Sequence, residues 1–304
     1  MKTLTSRDWR HERERSNLFF LKLMVWVSLR LGRTLSRGVL VFITLYFLAF
    51  APKARRSSRD YLHRALQRTP SLLDQFRHFY AFASTVHDRI YLLNDRFDLF
   101  DIEVVGAERV LQTAKQVPGV LLVGAHLGSF EVMRSLGKVG KGPAGFRLAM
   151  LMYEANAQKI NATLHAINPF ARHDIVALGQ WDSMLKVHER LDSAYVVGLM
   201  ADRFLDENGQ LINPFLGHSA AFPLGPWRAA AMLRRPVFLM VGLYLGGNRY
   251  RIQFEPLADF SQVQRTQRPE AIQMAARVFA ERLTHFCRIA PYNWFNFFDF
   301  WEAR

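Results

Sequence analysis

Cysteine is nearly absent. The 304 residues contain one, Cys287, so neither a disulfide framework nor a cysteine-rich zinc site can form. The ten histidines show no His-Glu-x-x-His or other metal-ligand spacing, which argues against a metal site, and no cofactor is implied. No uncharged apolar run reaches the roughly 18 residues that one bilayer crossing needs, which argues against a polytopic membrane protein. Repeats, low-complexity tracts and Ser/Gly linkers are missing too. What is present is a chain that is 50% hydrophobic and 13% aromatic, able to bury a sizeable core, which excludes disorder as its main state.

Acidic residues are scarcest at the start. Residues 1 to 68 hold 15 Lys/Arg against 4 Asp/Glu, a local +11 within a total of +14. This charge brackets the most apolar stretch. Val39 to Ala51 carries no charge, with Arg30, Arg33 and Arg37 before it and Lys53, Arg55, Arg56 and Arg59 after it. Leu18 to Leu31 is also apolar apart from Lys22 and Arg30, so 18–51 can form about 50 Å of helix at roughly 1.5 Å per residue. That exceeds a hydrocarbon core of roughly 30 Å, and predicts a tilted or broken helix, half crossing and half lying in the interface, with Gly32 as the candidate break. A cleaved signal peptide fits poorly, because its basic leader would run to residue 37 and Pro52 would follow the cut. A buried core helix is the other reading. The pattern predicts an N-terminal membrane anchor over residues 1–68 and one catalytic-size domain over 69–304.

The second segment reads as α/β. Pro70 to Asn94 has helical periodicity, with Leu72, Leu73, Phe76, Phe79, Tyr80, Ala83, Val86, Ile90 and Leu93 recurring at three and four. Strand candidates follow at Ile102 to Val105, Gly119 to Val123, Arg147 to Met152, Tyr195 to Met200, Val237 to Leu245 and Arg249 to Phe254. They alternate with helices starting near Ala107, Ser129, Ala155, Trp181, Pro226 and Glu270. Such alternation predicts a central, mostly parallel sheet flanked by helices.

The chemistry-bearing residues sit where the second strand ends. Gly119-Val-Leu-Leu-Val-Gly-Ala-His126-Leu-Gly-Ser-Phe-Glu131 is a buried strand feeding through a glycine turn into a helix. Ligands of open α/β sheets bind beyond the carboxyl ends of the strands, where His126 falls. Gly128 allows close backbone approach, and Ser129 can cap the helix and present its amides. A histidine and a carboxylate four residues apart across such a turn can fold together, Glu131 orienting the imidazole and His126 acting as general base. The competing constellations are weaker. Gly217-His218-Ser219-Ala220-Ala221 imitates a serine-hydrolase elbow, but Pro214, Pro223 and Pro226 break its strand-turn-helix context. His87-Asp88-Arg89 reads as a structural polar cluster. The six Trp and 25 Phe fall mostly in apolar runs without a phosphate-binding glycine loop, so nucleic acid is not an expected partner.

His126-Leu-Gly-Ser-Phe-Glu131 resembles the His-x4-Asp/Glu (HX4E) motif of the bacterial lipid A biosynthesis acyltransferases, the lauroyl/myristoyl transferases. Ala201-Asp202-Arg203 after an apolar strand, Asn213-Pro214-Phe215-Leu216-Gly217, Pro223-Leu-Gly225-Pro226, Pro236-Val-Phe-Leu-Met and Pro291-Tyr-Asn-Trp294 are similar to later segments of that family, so the likeness covers nearly the whole chain. The aromatic ending Trp294 to Trp301, with His87-Asp88-Arg89 upstream, resembles the branch associated with aryl polyene and flexirubin pigment pathways. The resemblance implies a glycerolipid-acyltransferase-like fold at the bacterial inner membrane, facing the cytoplasm. It implies transfer of a fatty acyl chain from acyl carrier protein or coenzyme A to a hydroxyl of a membrane lipid. His126 and Glu131 would then be catalytic, with amides near Gly128 to Phe130, or Arg203, meeting the oxyanion, and Asp202 supporting the site, holding Arg203 or forming a plain surface ion pair. A non-catalytic lipid-binding or scaffold protein of the same fold, and a thioesterase, are the alternatives.

Overall fold

The computed structural model describes residues 18–133, 136, 147–153, 167–168, 174–178, 181–193, 195–203 and 209–301. Helix α1 (Leu18–Phe50) is broken at Gly32, whose φ of 78° and ψ of 167° leave the helical region, as only a residue without Cβ does cheaply. Val25, Ser28, Ser36, Leu40 and Thr44 form a buried stripe along it, and its chief neighbour is α3 (Leu72–Leu93). The expected helix over 70–94 is therefore present, started by a capping box in which Ser71 accepts from the Asp74 amide while Asp74 accepts from that of Ser71. Between them α2 (Pro52–Leu66) buries Ser58, Tyr61, Leu62 and Ala65 against the body.

Among the described residues seven strands form the main sheet: β1 (Asp101–Val105), β2 (Val120–Gly124), β3 (Leu148–Tyr153), β4 (Asp174–Leu178), β5 (Val196–Met200), β8 (Pro236–Gly246) and β9 (Arg249–Asp259), in the order β1-β9-β8-β2-β5-β3-β4. Every pairing is parallel except the β8–β9 hairpin, so the mostly parallel sheet flanked by helices read from the sequence is the observed fold. The central strands β2 and β5 are buried runs of Val and Leu because helices cover both faces. Those helices include α4 (Ala107–Gln116), α5 (Ser183–Asp192), α6 (Gly225–Leu233) and α7 (Arg268–Ile289).

Three strands went unpredicted: β4, and the two strands of a separate hairpin, β6 (Gln210–Phe215) and β7 (His218–Pro223). The serine-elbow mimic is the turn and second arm of that hairpin, with His218 and Ser219 exposed. The helix expected from Ala155 lies outside the described residues. The one expected near Ser129 is described only as a 3-10 turn, Glu131–Met133, and at Leu136.

Candidate active site

The site forms at the carboxyl edge of β2 and β5. These strands run parallel with Gly124 opposite Met200, and the Ala201 amide continues the ladder to the Gly124 carbonyl at 3.0 Å. His126 and Asp202 each lie two residues beyond that matched pair, so the register itself brings them together. Asp202 Oδ1 lies 2.9 Å from His126 Nδ1, and Oδ2 accepts the His126 backbone amide at 2.9 Å and Trp294 Nε1 at 3.0 Å. A carboxylate only accepts, so Nδ1 carries the proton and Nε2 keeps its lone pair. The imidazole is 36% exposed and the carboxylate 1%, which leaves the basic nitrogen on the open side of the pair.

Burial by itself raises the Asp202 pKa, but the hydrogen bonds from the His126 ring and amide and the positive charge of Arg203 hold it below the ordinary carboxylate value. His126 is held below the ordinary histidine value by burial and then by the Arg203 charge, with Asp202 acting in the opposite direction and Arg89 adding slightly to the depression. The imidazole is thus neutral and ready to accept a proton near neutral pH.

Glu131 takes a different partner from the one the sequence spacing suggested. Its Oε1 pairs with Arg89 Nε from α3 at 2.6 Å, and its Oε2 accepts from Ser129 Oγ at 3.3 Å. Among the described residues no hydrogen bond joins it to His126; Asp202 occupies the orienting position assigned to Glu131. The short turn explains this, because Leu127 to Ser129 are held to β8 and to the late 293–294 segment and do not fold back. Leu127 bridges Trp294 and Gly128 bridges Gly242. The Gly128 amide donates to the Asn293 carbonyl at 2.8 Å and the Ser129 amide to the Gly242 carbonyl at 2.7 Å. The Gly128 and Ser129 amides, two of those expected as oxyanion donors, are therefore committed to the fold. Gly128 has φ +73°, and a Cβ there would run into the Gly242 carbonyl oxygen, which is the close approach its residue type permits.

The late Pro291-Tyr-Asn-Trp294 segment is wired into this loop. The Phe295 amide donates to the His126 carbonyl at 2.8 Å, and the Asn293 side chain pairs with the backbone of Tyr244 in β8. Arg203 Nη2 donates to the Phe295 carbonyl at 2.9 Å. Trp294 is fully buried, its ring meeting Tyr61, Phe215 and Phe300 edge-on with centroids about 5 Å apart. Trp294, Phe295 and Phe300 of the aromatic ending are thus part of the core. Next to Trp294 lies His78, whose Nε2 meets the Trp294 carbonyl and whose Nδ1 meets Ser58 Oγ, both at 2.8 Å.

Two features were underread in the sequence. Arg89 belongs beside Glu131 as well as to the His87-Asp88-Arg89 cluster, and Trp294 carries a donor for Asp202. Part of the second signal was visible: Asp202 directly follows an apolar strand, and a buried Trp requires an acceptor, but which strand lies beside β2 was not.

Fold and site together define an α/β protein with a histidine–carboxylate pair at the carboxyl edge of parallel strands. Residues 7–302 match the family of bacterial lipid A biosynthesis acyltransferases, and the chain belongs to that family. Comparison with curated proteins gave no match.

Proposed function

We propose that the protein is a membrane-associated O-acyltransferase that moves a fatty acyl chain from an acyl thioester, on acyl carrier protein or coenzyme A, to a hydroxyl of a lipid or lipid-like acceptor. The observation that carries this reading is the His126–Asp202 pair, with Nδ1 held at 2.9 Å and a partly exposed ring. His126 Nε2 removes the acceptor's hydroxyl proton as the oxygen attacks the thioester carbonyl. The negative charge on the carbonyl oxygen is met by the positive field of Arg203, whose charge acts on the imidazole. Collapse breaks the carbon–sulfur bond, the thiolate takes the proton from the imidazolium, and the products are an ester and a free thiol. Asp202 positions the ring and stabilises the imidazolium; Glu131 neutralises Arg89 and shapes the field at the base.

Membrane association rests on α1. Val25–Phe50 is long and apolar enough to cross a bilayer by length and composition, and only 17% of its apolar window is buried. A thioester donor made in the cytoplasm sets the catalytic body on the cytoplasmic face of the bacterial inner membrane. The acceptor is a lipid hydroxyl; since Trp294 and Phe300 pack in the core, the aromatic ending does not define it further.

The test is thioester consumption by the full chain in lipid, with product identified by mass spectrometry. His126→Ala is expected to lower the rate by at least about 1,000-fold. An unchanged rate removes the enzyme reading, and free fatty acid without an acylated product makes the protein a thioesterase.

A further inference from the structure

We infer that α2 is a docking surface for the anionic headgroups of a bilayer, acting together with the outer face of α1. The N-terminal charge divides into two sets with different fates. Arg33 and Arg37, which the sequence places on the flank of the apolar run, turn inward. Arg33 makes a two-pronged ion pair with the fully buried Asp88 at 2.7 and 2.9 Å, and Arg37 bonds Ser84, the Gly247 carbonyl and the Tyr244 hydroxyl. The cations after the run behave oppositely. Lys53, Arg56 and Arg59 are exposed and form no ion pair among the described residues.

The helix geometry separates the faces. Ser58, Tyr61, Leu62 and Ala65 point into the body, so Lys53, Arg56, Arg59 and His63 fall on the opposite, solvent side, with Asp60 as the single acid among them. The first turn of α2 has no acidic residue and no side-chain cap, and Lys53 sits where the helix dipole is already positive. That arrangement is unfavourable in isolation and favourable once anions lie against it.

Continuity selects the partner. The outer face of α1 exposes Leu35, Phe42, Leu45, Tyr46 and Phe50, and only Ala51 separates this apolar surface from the start of α2. Apolar side chains at hydrocarbon depth followed at once by unpaired cations match the boundary between acyl chains and phosphate headgroups. An acidic carrier protein would meet the cations but leave the adjoining apolar face uncovered.

The proposal rests on the membrane reading of α1 and not on the catalytic one. The experiment is flotation of the full chain with vesicles of phosphatidylcholine alone, or with about a third phosphatidylglycerol, where each cation contributes about fivefold to partitioning. Wild type is expected to bind the anionic vesicles more tightly, and Lys53→Gln/Arg56→Gln/Arg59→Gln to weaken that binding by about 100-fold, with high salt doing the same to wild type. Circular dichroism and thermal melting verify that the variant folds. Equal flotation of wild type on both vesicles overturns the proposal, and absence of flotation on either overturns it together with the membrane reading. If the variant floats like wild type but loses turnover with acyl carrier protein while keeping it with coenzyme A thioester, the face serves the carrier and the proposal fails.

Discussion

Trp294 Nε1 donates to Asp202 Oδ2 at 3.0 Å, the same oxygen that accepts the His126 backbone amide. The carboxylate is thereby fixed from two sides while its other oxygen holds the imidazole. Trp294→Phe keeps an aromatic ring in the cage and removes the donor. A hydrogen bond to a charged group contributes about 1.5 to 3 kcal/mol, so kcat is expected to fall by about tenfold or more with KM little changed. Steady-state thioester kinetics check this, and an equal loss in both parameters would mean that Trp294 only fills space.

Asp202→Asn preserves the shape of the pair and removes its charge. The amide can present its NH2 to Nδ1 and select the wrong tautomer, and a drop in kcat of about 100-fold or more is expected. The pH profile carries a signed prediction. A general base works in its neutral form, so the acid limb of kcat/KM follows the His126 pKa. Burial and Arg203 lower that pKa while Asp202 raises it. Removing the Asp202 charge therefore moves the limb to lower pH, whereas Arg203→Met moves it to higher pH. A limb that stays in place in both variants would assign the titration to another group.

Glu131 and Arg89 form an ion pair at 2.6 Å, with Glu131 13% and Arg89 32% exposed at the side chain. If Glu131 acts through Arg89, Glu131→Gln leaves an uncompensated cation near the base, and adding Arg89→Gln restores part of the loss. The double variant is expected to be no worse than the poorer single one, a coupling of about 1 kcal/mol or more in a double-mutant cycle of kcat/KM. Strict additivity would mean that the two side chains act separately on the reaction.

Much of this architecture was legible because parallel strands buried on both faces read as continuous apolar runs; Val120 to Gly124 and Val196 to Met200 are such runs. His126 could be placed at a strand end for the same reason. Its true partner could not, because the neighbourhood of β2 and β5 depends on strand order, and 76 residues separate His126 from Asp202. Strand β4 escaped notice because Asp174–Leu178 is five residues long and mostly half-buried. Strand β6 was hidden by Asn213 and Pro214, residues tolerated in a hairpin outside the main sheet. Strand β9 continues past the predicted Phe254 through Pro256, where β1 has ended and only β8 remains alongside, so the missing N–H of proline lies where no second neighbour needs it. The inward turn of Arg33 and Arg37 was equally hidden, since an arginine beside an apolar run reads alike whether it meets a headgroup or a buried aspartate.

His78 is completely buried and its pKa is lowered to about 4, burial outweighing the bond to the Trp294 carbonyl. It is neutral in the folded protein where the unfolded chain would protonate it. Stability from this group is present in full above the ordinary histidine value of about 6.5 and declines as pH falls to about 4, a loss of about 3 kcal/mol. Urea midpoints measured across that interval should fall with pH, and His78→Gln should flatten the dependence while lowering stability at pH 7. An unchanged slope would assign the acid sensitivity elsewhere.

Asp88 is the buried anchor of the N-terminal helix. It accepts from Arg33 at 2.7 and 2.9 Å and from the Tyr250 hydroxyl at 2.8 Å, with Arg37 Nη1 3.7 Å away. Breaking a buried pair by removing one partner leaves an uncompensated charge and typically costs about 3 to 5 kcal/mol. Asp88→Asn keeps the size and leaves both arginines facing a neutral amide, so a destabilisation of about 3 kcal/mol is expected. Because Arg33 and Arg37 lie four residues apart on the helix that follows Gly32, and so on the same side of it, that loss should fall first on α1. Limited proteolysis should then cut within α1 well before the sheet unfolds, and Arg33→Met should reproduce the pattern. Simultaneous loss of α1 and the sheet in both variants would instead make Asp88 a general core residue whose removal unfolds the body as one unit.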